Sequence, residues 1–307
     1  MRTFGLHRSW IMVFVLALFS ACAHPRPSQA APVASDPLIF GLAADAGRWN
    51  ANSEATRDSM LKLHVHRLVM AGDNIYEPHK SYAEAWKHWT EKGFTFDVVA
   101  IGNHTLGYGA EIDFFKMPSE YYAKVYPGIR FLVLNSDNTK NVKEQLHWLE
   151  GELKSAREPL VFVVLHHPTY TISTQGHLWT EKKVLQEGLR KLLHEHRSHV
   201  TALIAGHDHL AVLARAGDLP IVISGAIQET RKDMQVDQDE QGTHVKTLYY
   251  FGTVPTWVRL TPTAGHPDEA TIDYIRSSDS LITCTAKLTT GKAPEPQPNC
   301  PKPPEAP

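Results

Sequence analysis

The sequence lacks a strong charge of either sign, a long apolar run and any visible internal repeat. Lys and Arg number 31 against 33 Asp and Glu, which gives a formal net charge of -2. It therefore carries no basic field that would hold a nucleic-acid backbone or an acidic membrane surface. Its most apolar run, Trp10 to Phe19, is too short to span a bilayer as a mature helix. Nucleic acid is not expected as a partner.

The composition is that of an ordinary globular protein, except for its histidines. Hydrophobic residues make up 42% of the 307 residues and charged residues 21%, which suits one large α/β domain with tails. Histidine occurs 18 times. Because imidazole is the commonest metal ligand among side chains, a metal site is worth seeking.

The first 21 residues have the pattern of an export signal. Arg2 and Arg8 precede the apolar run, which ends in Ser20-Ala21-Cys22. A small-small-Cys ending resembles a bacterial lipoprotein signal, in which Cys22 becomes the lipidated first residue. The alternative is simple cleavage between Ala21 and Ala31. The resemblance implies a lipoprotein in the bacterial periplasm or outer membrane, held to the membrane through its lipid.

The rest of the chain divides into a linker, a domain and a tail. Residues 22–37, rich in Pro, Ala and Ser, predict a solvated linker, and residues 38–278 predict the domain. Residues 279–307 predict a proline-rich C-terminal tail, which is extended from Lys292 to Pro307, where seven prolines preclude a helix or a central strand. Cys284 and Cys300 within that tail either form a disulfide or remain two unpaired thiols.

Short apolar runs alternate with helix-like stretches through the domain. Asn141 to Arg157 and Leu185 to His194 have apolar residues at spacings of three and four, which predicts helices. Trp86 and Trp89 fit one packed helix face. Later runs predict added antiparallel strands of a second sheet: Leu248 to Phe251, Thr256 to Leu260 and Thr271 to Ile275. The earlier runs predict buried strands of a largely parallel sheet, or a pair of sheets: Leu38 to Ala43, Leu68 to Met70, Val98 to Ile101, Phe131 to Leu134, Val161 to Leu165, Ala202 to Ala205 and Ile221 to Ile223.

Five of these strands end in residues that bind metals. A carboxylate at a strand end can bridge two cations, and two cations can activate a water while clamping a phosphoryl group. Strand ends of one α/β fold gather such residues together. The clusters are Asp45-Ala46-Gly47, Gly72-Asp73-Asn74-Ile75-Tyr76, Gly102-Asn103-His104, His166 after Leu165, and Gly206-His207-Asp208-His209.

This ordered set resembles the calcineurin-like metallophosphoesterases, over roughly residues 38–275. The resemblance implies an α/β fold, a four-layer αββα sandwich with a dimetal site at the strand ends. Many members have a His where this chain has Gly47. Together with Tyr76 after Asp73, that exchange resembles the purple acid phosphatases, the tartrate-resistant acid phosphatase type, in which a tyrosine phenolate binds Fe(III).

The resemblance implies a ligand set and a reaction. It places Asp73 between two metal ions, Fe(III) and a divalent Fe, Zn or Mn. A metal-bound hydroxide would attack phosphorus, and His104 would act as the acid or electrostatic group at the departing oxygen. The implied ligands are Asp45, Asp73, Tyr76 and His209 for the first metal, and Asp73, Asn103, His166 and His207 for the second.

Two positions depart from the family pattern, and one ligand position has an alternative. Thr105 stands where the family usually has an acidic residue that orients the catalytic imidazole. Gln175 stands where small purple acid phosphatases have a second histidine, a role that His177 could take. His167 is an alternative ligand to His166, but the Val-x-x-His register favours His166.

The expected function is hydrolysis of phosphate monoesters on a small phosphorylated substrate. The same dimetal core would also serve a phosphodiesterase, and the motifs do not choose between the two. A third alternative is a surface lipoprotein that keeps the metal fold but binds a partner without turnover.

Overall fold

The computed structural model describes residues 38–173, 182–225, 227–231 and 244–303. The predicted signal, the linker and Cys22 lie outside these ranges, as do Gln175 and His177. No helix in the described ranges combines the length and the apolar character needed to cross a membrane.

The first sheet has seven strands among the described residues. Its β1, β2 and β3 run parallel to one another, and β11 pairs antiparallel with β1 at the other side. The order across the sheet is β14-β13-β12-β11-β1-β2-β3. These strands are β1 Phe40–Ala43, β2 Arg67–Ala71, β3 Thr95–Ala100, β11 Thr256–Pro262, β12 Glu269–Arg276, β13 Ile282–Thr289 and β14 Glu295–Pro296.

The second sheet also has seven described strands, of which β5, β6, β7 and β9 are parallel. Its order is β10-β8-β9-β7-β6-β5-β4. These strands are β4 Tyr122–Tyr126, β5 Ile129–Val133, β6 Leu160–Val164, β7 Ala202–Ala205, β8 Ala211–Ala216, β9 Leu219–Ser224 and β10 Lys246–Phe251.

Helices cover the outer faces of the sheets, which gives four layers. Along β6, Phe162 and Val164 belong to the core shared with the first sheet, whereas Val161 and Val163 pack with α4 and α5. Trp86 and Trp89 of α2 are buried in the core of the first sheet, as predicted. The described helices are α1 Ala51–Lys62, α2 Tyr82–Thr90, α3 Tyr108–Phe115, α4 Val142–Ser155 and α5 Lys183–Glu195. The four-layer αββα prediction is confirmed.

The predicted position of the later strands is partly wrong. The run at Leu248 forms β10 of the second sheet, but the runs at Thr256 and Thr271 form β11 and β12 of the first sheet. All three are antiparallel to a neighbour, as expected. The apolar pattern identified the strands, but it carries no information on which of two sheets each would join.

The first sheet continues past residue 278, into the segment for which the sequence predicts a tail. Residues 282–289 form β13, which pairs with β12 and carries β14 at the sheet edge. Alternate residues of β13 are buried, including Cys284, and a disulfide joins Cys284 to Cys300. The prolines fall after β13 and at the edge strand, where a missing N–H does not break the ladder.

Candidate metal centre

Loops at the carboxyl ends of β1 and β2 are joined by backbone hydrogen bonds. The amide of Asp45 donates to the carbonyl of Gly72 at 3.1 Å, and the amide of Gly47 donates to the carbonyl of Asp73 at 3.1 Å. The amide of Tyr76 donates back to Gly47 at 3.1 Å. These bonds hold the side chains of Asp45, Asp73 and Tyr76 at one edge of the first sheet.

Three histidines that follow strands of the second sheet lie beside Asp45, Asp73 and Tyr76. His166 follows β6, and His207 and His209 follow β7. The amide of Gly206 donates to the carbonyl of His166 at 3.0 Å, and the amide of His207 donates to Asp45 Oδ2 at 3.0 Å. The site therefore lies where the strand ends of the two sheets meet.

One group of donor atoms surrounds the hydroxyl of Tyr76. It lies 2.8 Å from Asp73 Oδ2, 3.2 Å from Asp45 Oδ1 and 3.2 Å from His209 Nε2. Asp45 Oδ1 is also 3.6 Å from His209 Nε2. The four side chains are those that the resemblance assigns to the first metal.

A second group surrounds Nε2 of His166. That nitrogen lies 3.2 Å from Asp73 Oδ1, 3.1 Å from Asn103 Oδ1 and 3.1 Å from His207 Nδ1. The other ring nitrogen of His166 lies 2.8 Å from the carbonyl of Ala71, so it carries an N–H, and Nε2 is the nitrogen that offers a lone pair to a metal in the neutral ring. These are the four side chains assigned to the second metal.

The donor chemistry and spacing fit two cations that share Asp73. Metal–ligand bonds of about 2.0–2.2 Å place neighbouring donor atoms about 3 Å apart, as they are in both groups. Asp73 gives Oδ2 to one group and Oδ1 to the other. Asp45 and Asp73 are almost fully buried, at 0% and 2% exposure, where two carboxylates need cations nearby.

Burial and mutual repulsion perturb the ionisable groups of the site. Burial raises the pKa of Asp45 to about 8, and the charge on Asp73 adds to that rise. Burial opposes ionisation of Asp73 too, but attraction to the positive charge of His166 in its protonated form lowers the pKa of Asp73 below its usual range. For Tyr76, burial together with the carboxylates of Asp45 and Asp73 raises the phenol pKa above its usual range. A phenolate at Tyr76 therefore requires a cation beside it.

Four of the seven candidate ligands have a backbone conformation that side chains rarely adopt. The φ angles are 55° at Asp45, 55° at Asp73, 69° at His207 and 54° at His209. Left-handed backbone at non-glycine residues costs free energy and concentrates at functional sites. Here it turns each ligand away from its strand and toward the others.

Gly102 and Gly47 are required by close approach and not by a turn. A Cβ on Gly102 would lie 2.2 Å from the amide nitrogen and from Oδ1 of Asp73. A Cβ on Gly47 would lie 2.1 Å from the amide nitrogen of Ile75. Gly47, which replaces the histidine of many family members, thus lets the Tyr76 loop pack directly on the loop that carries Asp45.

His104 lies at the open side of the site. Its backbone amide donates to Asp73 Oδ1 at 2.9 Å, and its ring lies 4.4 Å from the ring of Tyr76. The residue is exposed, as is Asn103, whereas the other candidate ligands are buried or half-buried. An imidazole that is exposed beside the donor groups can reach a bound substrate.

His167 has a different environment from His166. Its Nδ1 lies 2.9 Å from Ser136 Oγ, and Lys182 Nζ donates to its Nε2 at 3.1 Å. The ammonium of Lys182 therefore occupies the lone pair that a metal would need. This geometry supports His166 as the ligand, although the ring of His167 lies 4.4 Å from that of His207.

The sequence did not indicate Glu111 or Tyr82 as parts of the site. Glu111 is fully buried in α3, and its carboxylate accepts a hydrogen bond from the hydroxyl of Thr105 at 2.7 Å. An acidic residue in the first turns of a helix has no motif of its own, so only Thr105, as a departure from the family pattern, pointed to this region.

The arrangement is that of a two-metal site at the strand ends of a two-sheet α/β fold. A family model described as "Calcineurin-like phosphoesterase" matches residues 24–211. The chain belongs to the calcineurin-like phosphoesterase family. Purple acid phosphatases are among its relatives, as the sequence motifs suggested.

Acid phosphatases are among the proteins that resemble this chain in sequence. The chain is 30% identical over 141 residues to tartrate-resistant acid phosphatase type 5 of Mus musculus, which covers 46% of this chain and 41% of that protein. The Rattus norvegicus protein of the same name is 36% identical over 141 residues, with the same shares covered. The matches therefore span less than half of each relative's length.

Solved structures share the fold at low sequence identity. A purple acid phosphatase from yellow lupin (Lupinus luteus) seeds superposes with a TM-score of 0.59 and 17% identity, over 83% of this chain and 54% of that one. GAP50, described as the anchor in the inner membrane complex of Plasmodium, superposes with a TM-score of 0.64 and 15% identity, over 83% and 90%. The fold thus occurs in a phosphatase and in a protein described as an anchor.

Substitution of the shared carboxylate should affect both metal positions. We expect Asp73→Asn to bind far less than one metal ion per chain, because each donor group loses a charged oxygen, whereas Tyr76→Phe should lose one ion of two. The measurement is metal content by mass spectrometry after dialysis against a weak chelator. Asp273→Asn, a buried carboxylate bonded to Arg259 in the first sheet, is the control. Equal losses in Asp73→Asn and Tyr76→Phe would contradict a bridging role.

Proposed function

We propose that the protein is a metal-dependent hydrolase of phosphate esters that acts on monoesters. The observation that carries this proposal is the division of the Asp73 carboxylate between two buried groups of donor atoms. Similarity to tartrate-resistant acid phosphatases supports the same activity.

The two ions would be held by the two donor groups already described, with Asp73 in common. When bound, they would supply positive charge that activates a water and neutralises the phosphoryl oxygens. The protein's part is to fix the donors before substrate arrives, since six of the seven ligand side chains are buried or half-buried and Asn103 Oδ1 lies 3.1 Å from His166 Nε2.

His104 would donate a hydrogen bond or a proton to the leaving group. Its ring faces the open side of the site and lies against Tyr76, so an N–H of the imidazole can donate to the departing oxygen of the ester. Arg48 is exposed on the same side, with its guanidinium carbon 5.8 Å from the centre of the Tyr76 ring. A cation there would attract an anionic substrate toward the site.

We propose Fe(III) in the Tyr76 group and a divalent ion in the His166 group. The phenol of Tyr76 is buried between two carboxylates, which raise its pKa, so a strongly charged cation is needed to hold it as phenolate. Two carboxylates and a phenolate also match the hard donors that a trivalent ion favours, while two imidazoles and an amide suit a divalent ion.

Diester hydrolysis and partner binding without turnover are the alternatives. The donor groups serve monoesters and diesters equally, and only the shape of the surrounding surface separates them. Export is part of the proposal, with lipidation at Cys22. It is supported by the sequence of residues 1–22 and by the Cys284–Cys300 disulfide, since such bonds persist in oxidising compartments.

Removal of the His104 imidazole should slow turnover more than it weakens binding. We expect His104→Ala to lower kcat on p-nitrophenyl phosphate by about 100-fold, the usual scale for a general acid. His194→Ala, which removes an exposed imidazole from the end of α5, should leave kcat unchanged. The same assay with bis-p-nitrophenyl phosphate tests the ester class. A diester rate well above the monoester rate would exclude the monoesterase, and full activity in His104→Ala would exclude the role of that side chain.

Colour tests the iron assignment separately from activity. Protein loaded with iron should absorb visible light through charge transfer from the Tyr76 phenolate, and Tyr76→Phe should lose that band. The measurement is an absorption spectrum beside an iron assay of the same sample. A band that persists in Tyr76→Phe, or a colourless protein that holds stoichiometric iron, would show that Tyr76 does not bind iron.

A further inference from the structure

Glu111 is a fully buried carboxylate beside the site that the proposed reaction does not use. Its Oε1 accepts a hydrogen bond from Asn74 Nδ2 at 2.6 Å. Its Oε2 accepts from the hydroxyls of Thr105 at 2.7 Å and Tyr82 at 2.9 Å. No Lys or Arg in the described ranges pairs with it. Burial of a carboxylate without a cation is costly and raises the pKa of Glu111, and the three neutral donors oppose that rise.

Two of the three donors, Asn74 and Thr105, belong to the loops that carry the site, and Tyr82 is the first residue of α2. Asn74 follows Asp73 directly and also donates to the carbonyl of Ala100 at the end of β3. The hydroxyl of Tyr82 accepts the backbone N–H of Leu106 at 3.2 Å. Glu111 therefore ties the loop after β2 to the loop after β3.

The second of these loops holds Asn103, His104 and Thr105. Thr105 Oγ1 donates to Glu111 and accepts the backbone N–H of Gly107 at 3.1 Å, which fixes the chain just after His104. No side chain in the described part of the chain hydrogen-bonds the ring of His104, whose backbone N–H is held by Asp73. The direction of the ring therefore depends on how firmly this loop is held.

Position 105 is where the family usually has an acidic residue, and this chain has a hydroxyl there. We propose that Glu111 is a positioning residue that supplies the missing carboxylate from α3, through Thr105, and so orients His104 and Asn103. The inference rests on the proposed function for its catalytic consequence. Its structural content, a buried carboxylate at position 111 that accepts hydrogen bonds from both loops, stands on the contacts alone.

A cycle of two substitutions tests this exchange. Glu111→Gln keeps the volume but sets an N–H against one of the three donors, so we expect kcat to fall about 10- to 100-fold, with little change in KM. Thr105→Asp alone sets a second carboxylate beside Glu111 and should lower both kcat and Tm. In the Glu111→Gln background the same Thr105→Asp change restores one carboxylate to the loop, and it should raise both quantities.

The sign reversal of Thr105→Asp between the two backgrounds is the decisive result, because general destabilisation would not produce it. Asp273→Asn is the control for loss of a buried carboxylate. It should lower Tm with kcat retained. Thr105→Asp acting in the same direction in both backgrounds would overturn the inference, as would a retained kcat in Glu111→Gln. If the wild-type protein hydrolyses no ester, the proposed function fails, and the sign reversal is then measured in Tm alone. A reversal in Tm supports the exchange of carboxylates, and no reversal overturns it.

Discussion

Sharing of the Asp73 carboxylate between two groups of donors is the constraint on which the rest of the site depends. Its Oδ2 faces Tyr76 and its Oδ1 faces His166, which come from different sheets. For one carboxylate to meet both, the strand ends of the two sheets must face each other at hydrogen-bonding distance. The bond from the His207 amide to Asp45 Oδ2 joins the two edges directly. The buried core between the sheets holds this alignment, since either sheet can shift only by disturbing it.

The same constraint accounts for the strained backbone. If the chain continued in extended conformation beyond each parallel strand, the ligands would point along the strand direction and away from one another. Left-handed φ angles at Asp45, Asp73, His207 and His209 turn these four side chains inward instead. The conformation costs free energy at each position, and the cations proposed here would offset it by relieving repulsion between buried carboxylates. Glu111 stabilises the remaining loop, which has ordinary φ angles at its ligand and is the more exposed part of the site.

Much of this was predictable from the sequence, because buried strands and their terminal ligands leave a local pattern. The strands that end near Asp45, Asp73, Asn103, His166 and His207 appear as apolar runs, and each ligand follows its run directly. β13 has the alternation of apolar and polar residues that is typical of a half-buried strand, but the adjoining proline-rich segment favoured a tail over a strand there. Glu111 was not predicted because its role arises from tertiary contacts with Thr105, Asn74 and Tyr82. No sequence motif joins these three residues to Glu111.

The most direct test of the shared carboxylate is a crystal structure of the metal-loaded protein with anomalous data at the iron edge and at a second metal's edge. The account predicts two anomalous peaks about 3.5–4 Å apart, one on each side of the Asp73 carboxylate, with iron nearer to Tyr76. A single peak, or two peaks of which only one contacts Asp73, would contradict it.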